Sequence, residues 1–63
     1  MWTIVYISQN METVKEIKEL LEASEILVMM RTVSEEEGQG SFEILVPETE
    51  VEQAHNIIIN HSR

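Results

Sequence analysis

The chain has 63 residues, no cysteine, and twelve acidic side chains against four Lys and Arg, for a net charge of −8. That length allows one domain with a small core. The charge excludes a nucleic-acid binder, which needs cations to displace phosphate counterions, and it opposes docking on an anionic membrane.

A domain of this size buries only about 60% of its unfolded surface. Small domains therefore recruit a disulfide, a metal or a second chain. Without cysteine the first is closed, and no ligand cluster suggests the second. The expectation is a homo-oligomer, a dimer in the simplest case. Positions 1 to 10 carry no basic stretch of the kind that opens a secretory signal. The longest apolar run, Ile26 to Met30, is far short of the ~20 residues of a membrane span. These features point to a cytoplasmic protein.

Trp2-Thr3-Ile4-Val5-Tyr6-Ile7 is rich in β-branched and aromatic residues and predicts the first strand. Alternation sets Trp2, Ile4 and Tyr6 on one face and Val5 and Ile7 on the other. Both faces are apolar, as in a strand covered on both sides. Asn10 is placed to cap a helix, because its side-chain oxygen can accept a first-turn amide. Met11, Val14, Ile17, Leu20 and Leu21 then recur at helical spacing through Ala23. Lys15 stands one turn from both Glu12 and Glu19, on a face that reads as solvated.

Ala23-Ser24-Glu25 is the turn, without the glycine that commonly ends a helix. Ile26 to Val33 predicts the second strand. Ser34 to Ser41, with three consecutive glutamates and two glycines, reads as an exposed hairpin loop. In the third strand Phe42, Ile44 and Val46 point inward and Glu43 outward, with Leu45 open to either assignment. The second helix starts at Pro47, whose missing N–H is harmless in a first turn, or at the capping box Thr49-Glu50-Val51-Glu52. Val51, Ala54, Ile57 and Ile58 form its buried stripe, and Ile59 falls outside it.

Parallel strands joined through a helix cross over right-handedly. Inserting the third strand between the first two gives an α+β, ferredoxin-like β-α-β-β-α plait. Its three-stranded antiparallel or mixed sheet has the order 1-3-2, with two helices on one face and no fourth strand. The whole chain, residues 1 to 63, is one such domain. The outer edge of residues 2 to 7 is left unpaired and uncharged, and such edges invite another chain.

Val5-Tyr6-Ile7-Ser8-Gln9-Asn10, Ile17-Lys18-Glu19-Leu20-Leu21-Glu22, Ile26-Leu27-Val28 and Ile44-Leu45-Val46-Pro47-Glu48 with Ala54 follow one pattern. Across residues 3 to 59 the chain resembles a family of small bacterial proteins called prokaryotic signal-transducing proteins. They are named for a distant likeness to the trimeric nitrogen-regulatory signal proteins. The resemblance implies a β-α-β-β-α fold and a non-enzymatic regulatory or binding role. Many relatives have glycine where this chain has Ala23-Ser24-Glu25. The long nucleotide-binding loops of the nitrogen-regulatory proteins have no counterpart here, so nucleotide binding is not implied.

No catalytic pattern stands out. His55 and His61 lie six apart, about 240° around a helix. Glu52 and His55 share a face, but two ligands do not make a metal site. Gly38-Gln39-Gly40 lacks the third glycine and the helix of a dinucleotide loop. Ser8, Ser24, Ser34, Ser41 and Ser62 stand in no nucleophile motif. The expectation is no enzyme and no cofactor.

Trp2 and Tyr6 are either cover for the sheet or anchors of an interface, where aromatics dominate. Met29 and Met30 are either core filler or part of an adaptable surface. The candidate interaction residues are Trp2, Ile4, Tyr6, Met29 and Arg31, with Leu45 beside them. The expected partner is a second copy or another protein, engaged through the first-strand edge or the open sheet face. Two other uses fit the same pattern. One is a sensor holding an amino-acid-like ligand at a subunit interface, near Ser8 to Asn10 or Pro47 to Thr49. The other is an accessory subunit of an enzyme.

Overall fold

The computed structural model describes residues 1–33 and 40–61. The elements are β1 (Trp2–Ser8), α1 (Met11–Ala23), β2 (Met29–Val33), β3 (Ser41–Pro47), a 3-10 turn (Glu48–Glu50) and α2 (Val51–His61). The sheet order is β1-β3-β2, and β3 pairs antiparallel with both neighbours. The expected plait is therefore present, with the two outer strands parallel to each other.

Both helices pack on one side of the sheet. Val14, Ile17 and Leu21 from α1, Ala54 and Ile58 from α2, and Ile44 and Val46 from β3 form a single buried cluster with Ile26. Phe42, Val28 and Met30 close its rim. Successive strand residues face opposite ways, so the odd-numbered side of β3 (Ser41, Glu43, Leu45, Pro47) faces away from the helices.

β1 departs from simple alternation. Ile4 pairs with Leu45 and Tyr6 with Ile44, so the register slips by one residue at Val5. This is a β-bulge, which places two residues of one strand against one of its neighbour. Its consequence is a correction to the expected faces. Tyr6 does not share a face with Trp2 and Ile4; it packs with Val5 against the core. Ile7, paired with Glu43, joins Trp2 and Ile4 on the helix-free side. A strand apolar at both parities gives neither face a preference, so the bulge can turn the strand over midway.

The helix ends show why α1 sits where it does. Asn10, at φ −94° and ψ 110°, accepts the amides of Glu12 at 2.9 Å and Thr13 at 3.3 Å. At the other end Ile26 N–H donates to the Leu21 carbonyl at 3.2 Å, and Glu25 N–H donates to that of Glu22 at 2.9 Å. This is a Schellman motif, with buried Leu21 and Ile26 as its apolar pair. Glu25 takes the left-handed position, at φ 63°. The helix stop that glycine commonly provides is thus made by a glutamate in a glycine conformation.

β2 is shorter than the run Ile26 to Val33 predicts. Ile26 is consumed by the helix stop, Leu27 is 67% exposed, and the ladder opens with Met29 opposite Leu45. Extending it would bring Leu27 opposite Pro47, which has no N–H for a ladder bond.

The second helix begins in two stages. A 3-10 turn follows Pro47, and α-helix runs from Val51. Glu48 N–H donates to the Met1 carbonyl at 2.8 Å and ties this junction to the start of β1. On α1 the ion pair formed is Lys18 with Glu22 at 3.2 Å, not the expected Lys15 pairs. Exposed pairs are worth so little that rotamer entropy decides among them. His61 Nε2 lies 3.2 Å from Glu16 Oε1 and links the two helices. Residues 34–39 of the expected hairpin loop, with Ser34 and Gly38, lie outside the described residues, as does Ser62.

Candidate interaction surface

The helix-free side of the sheet is built from four cross-strand rows, the last of them Ser41 opposite Val33. Trp2 stands opposite Pro47. Ile4, Leu45 and Met29 form a continuous apolar row across all three strands. Ile7, Glu43 and Arg31 form the next.

Exposure separates these residues by position. Trp2, Ile4, Ile7 and Met29 are all exposed, Ile7 most at 55%. Leu45 is only 5% exposed although it lies outside the main core cluster. On the central strand it is flanked in register by Ile4 and Met29, which cover it. The assignment left open for Leu45 is therefore settled by tertiary packing: it faces away from the helices and is buried all the same.

Arg31 and Glu43 are cross-strand partners. Arg31 Nε and Nη2 reach Glu43 Oε1 at 2.8 and 2.6 Å. Both bonds go to Oε1. The Glu43 side chain is 13% exposed and that of Arg31 54%. The strands contain no other charged residue. This face is thus apolar and electrically neutral.

Of the five candidate residues, Trp2, Ile4, Met29 and Arg31 lie on this face, and Tyr6 does not. Ile7 is the member that alternation alone misplaces, whereas Glu43 stands on the outward side that alternation gives it. The signal for Ile7 was present in the run Ile4 to Ile7, where four successive apolar residues cannot all obey one alternation.

No family model matches this chain, and neither does any curated protein or solved structure.

The other candidate chemistry has no such grouping. Among the described residues no polar or charged residue is buried, and no three His, Asp or Glu come together as a metal site. His55 is exposed. The Ser8 hydroxyl accepts the Asn10 amide at 3.1 Å, so it serves the helix start. A groove of about 290 Å³ runs along the exposed face of α1, between Glu12, Lys15, Glu16 and Glu19. It is open to solvent and is walled by a solvated charge run. No helix among the described residues is long and apolar enough to cross a membrane.

Proposed function

We propose that this chain is a small, non-enzymatic regulatory or protein-interaction module of the bacterial cytoplasm, and that the helix-free sheet face is its contact surface. The observation that carries this reading is the neutral apolar patch of exposed Trp2, Ile4, Ile7 and Met29 around buried Leu45, on a protein of net charge −8. Contiguous exposed apolar patches mark interaction sites on soluble domains. The β-α-β-β-α order agrees with the signal-transducing family that the sequence resembles, and that resemblance adds support for a regulatory role.

The ligand-sensor alternative draws no support from the helix start. Around this start the Asn10 amide is engaged by the Ser8 hydroxyl, those of Glu12 and Thr13 by the Asn10 side chain, and that of Val14 by the Asn10 carbonyl. At the second junction Glu48 N–H is engaged by Met1.

The test places a photo-crosslinking residue at position 29 of the full chain, and at position 59 as a control on the exposed side of α2. In bacterial lysate, adducts from position 29 but not from position 59 are expected. Equal adducts from both positions, or none from position 29, would overturn the assignment of this face.

A further inference from the structure

We infer that the occupant of this face is a second copy of the same chain, stacked sheet on sheet. This rests on the reading of the face as a contact surface and adds the partner. Charge distribution selects it. The helices, the 3-10 turn and the turn at Glu25 hold eight glutamates against Lys15 and Lys18. The strands hold one cation and one anion, Arg31 and Glu43, already paired. A basic partner would be drawn to the helical side, and an acidic one would be repelled by the whole. The neutral face favours a partner that meets it through apolar contact.

A second copy can do so without bringing the acids of its helical side close to those of the first. The molecule is 15 Å through its thinnest dimension. Sheets stack about 10 Å apart, so face-to-face stacking sets the two acidic helical layers roughly 30 Å apart. That exceeds the screening length of about 8 Å at physiological ionic strength several times over. Pairing through the β1 edge would instead lay the helices of both copies side by side, acid against acid.

The face is also self-complementary, as a two-fold interface must be. Arg31 and Glu43 sit side by side, so a two-fold axis that lies in the interface and passes between them presents each arginine to the other copy's carboxylate. The centre of the patch is the row Ile4, Leu45 and Met29.

The area sets the strength. Three strands about 4.8 Å apart, β1 and β3 of seven residues and β2 of five, at about 3.3 Å per residue make a patch of at most roughly 14 by 23 Å. That is small beside the ~800 Å² per partner of a standard interface, so the dimer is weak and concentration-dependent.

The experiment is sedimentation equilibrium of the full chain, with Trp2 as an optical reporter, since it is the single tryptophan and lies on this face. Between about 1 µM and about 1 mM the mean mass should rise from 7.3 kDa towards twice that, as expected of a small interface. Trp2 emission should shift to the blue in parallel, and added salt should not weaken association. Met29→Glu should weaken the dimer about tenfold or more, and the same charge at Ile59→Glu by no more than about twofold. Arg31→Glu is a second, independent variant at a more exposed position. The charge swap Arg31→Glu with Glu43→Arg should restore what it loses. Circular dichroism of each variant verifies folding.

A strict monomer throughout the range overturns self-pairing. If position 29 then still yields an adduct of a different mass, the contact face stands with another occupant. If it yields none, both proposals fall. A dimer indifferent to both Met29→Glu and Arg31→Glu overturns the stacking and moves the contact to an edge.

Discussion

The residue that ends α1 offers the sharpest test of how this chain is held together. Glu25 stands at φ 63°, where a side chain crowds the backbone. A non-glycine residue there costs about 1 kcal/mol or slightly more, and a negative charge near a helix C-terminus adds a few tenths at the surface. Glu25→Gly removes both, while the two Schellman bonds to Leu21 and Glu22 are backbone bonds and survive the change. The extra freedom of glycine in the unfolded chain subtracts part of the gain, leaving about 1 kcal/mol. At about 2.1 cal/mol/K per residue, unfolding 63 residues has an entropy near 130 cal/mol/K. The expected rise in Tm is therefore roughly 7 °C. Thermal unfolding followed by circular dichroism measures it, at a concentration low enough to keep the chain monomeric. Glu25→Gln is the control, since it removes the charge and keeps the crowded backbone; it should recover only a small part of the rise. If Glu25→Gly gains no more than Glu25→Gln, or lowers Tm, the left-handed turn is not what ends this helix.

Asn10→Ala should cost about 1 kcal/mol through the lost cap, whereas Asn10→Asp keeps an acceptor for Glu12 and Thr13 and should hold Tm close to the parent. Leu21→Ala empties a fully buried site at the heart of the cluster and should cost about 2–5 kcal/mol. Against a total near 3–9 kcal/mol for a chain this long, denaturant titration should find it marginal or unfolded, with Leu27→Ala nearly silent. The bulge at Val5 is tested by Tyr6→Lys against Ile7→Lys. The first puts a charge against the core and should cost several kcal/mol, and the second should stay within about 1 kcal/mol. Equal costs would mean that β1 does not turn over.

The element order, the strand order and the core stripes of both helices were legible because each is a matter of local periodicity and chain connectivity. Val14, Ile17 and Leu21 recur at helical spacing and are buried together. Asn10 caps α1 because its short side chain reaches the next amides whatever the rest of the chain does. The site was legible only in part. Trp2, Ile4, Met29 and Arg31 share the helix-free face, but Tyr6 was assigned there by an alternation that the bulge at Val5 breaks.

Those parts that only the tertiary structure decided share one physical origin: the sequence offered two local solutions of nearly equal energy. Residues Ile4 to Ile7 are apolar at both parities, so which of them meets the helices depends on how β3 registers against β1. Leu45 shares the parity of Glu43, and it is buried on that side because Ile4 and Met29 arrive from strands remote in sequence. Glu25 has no intrinsic preference for a left-handed turn. It is held there because Leu21 and Ile26 must both reach the same core, and the burial of two large side chains outweighs about 1 kcal/mol of backbone strain.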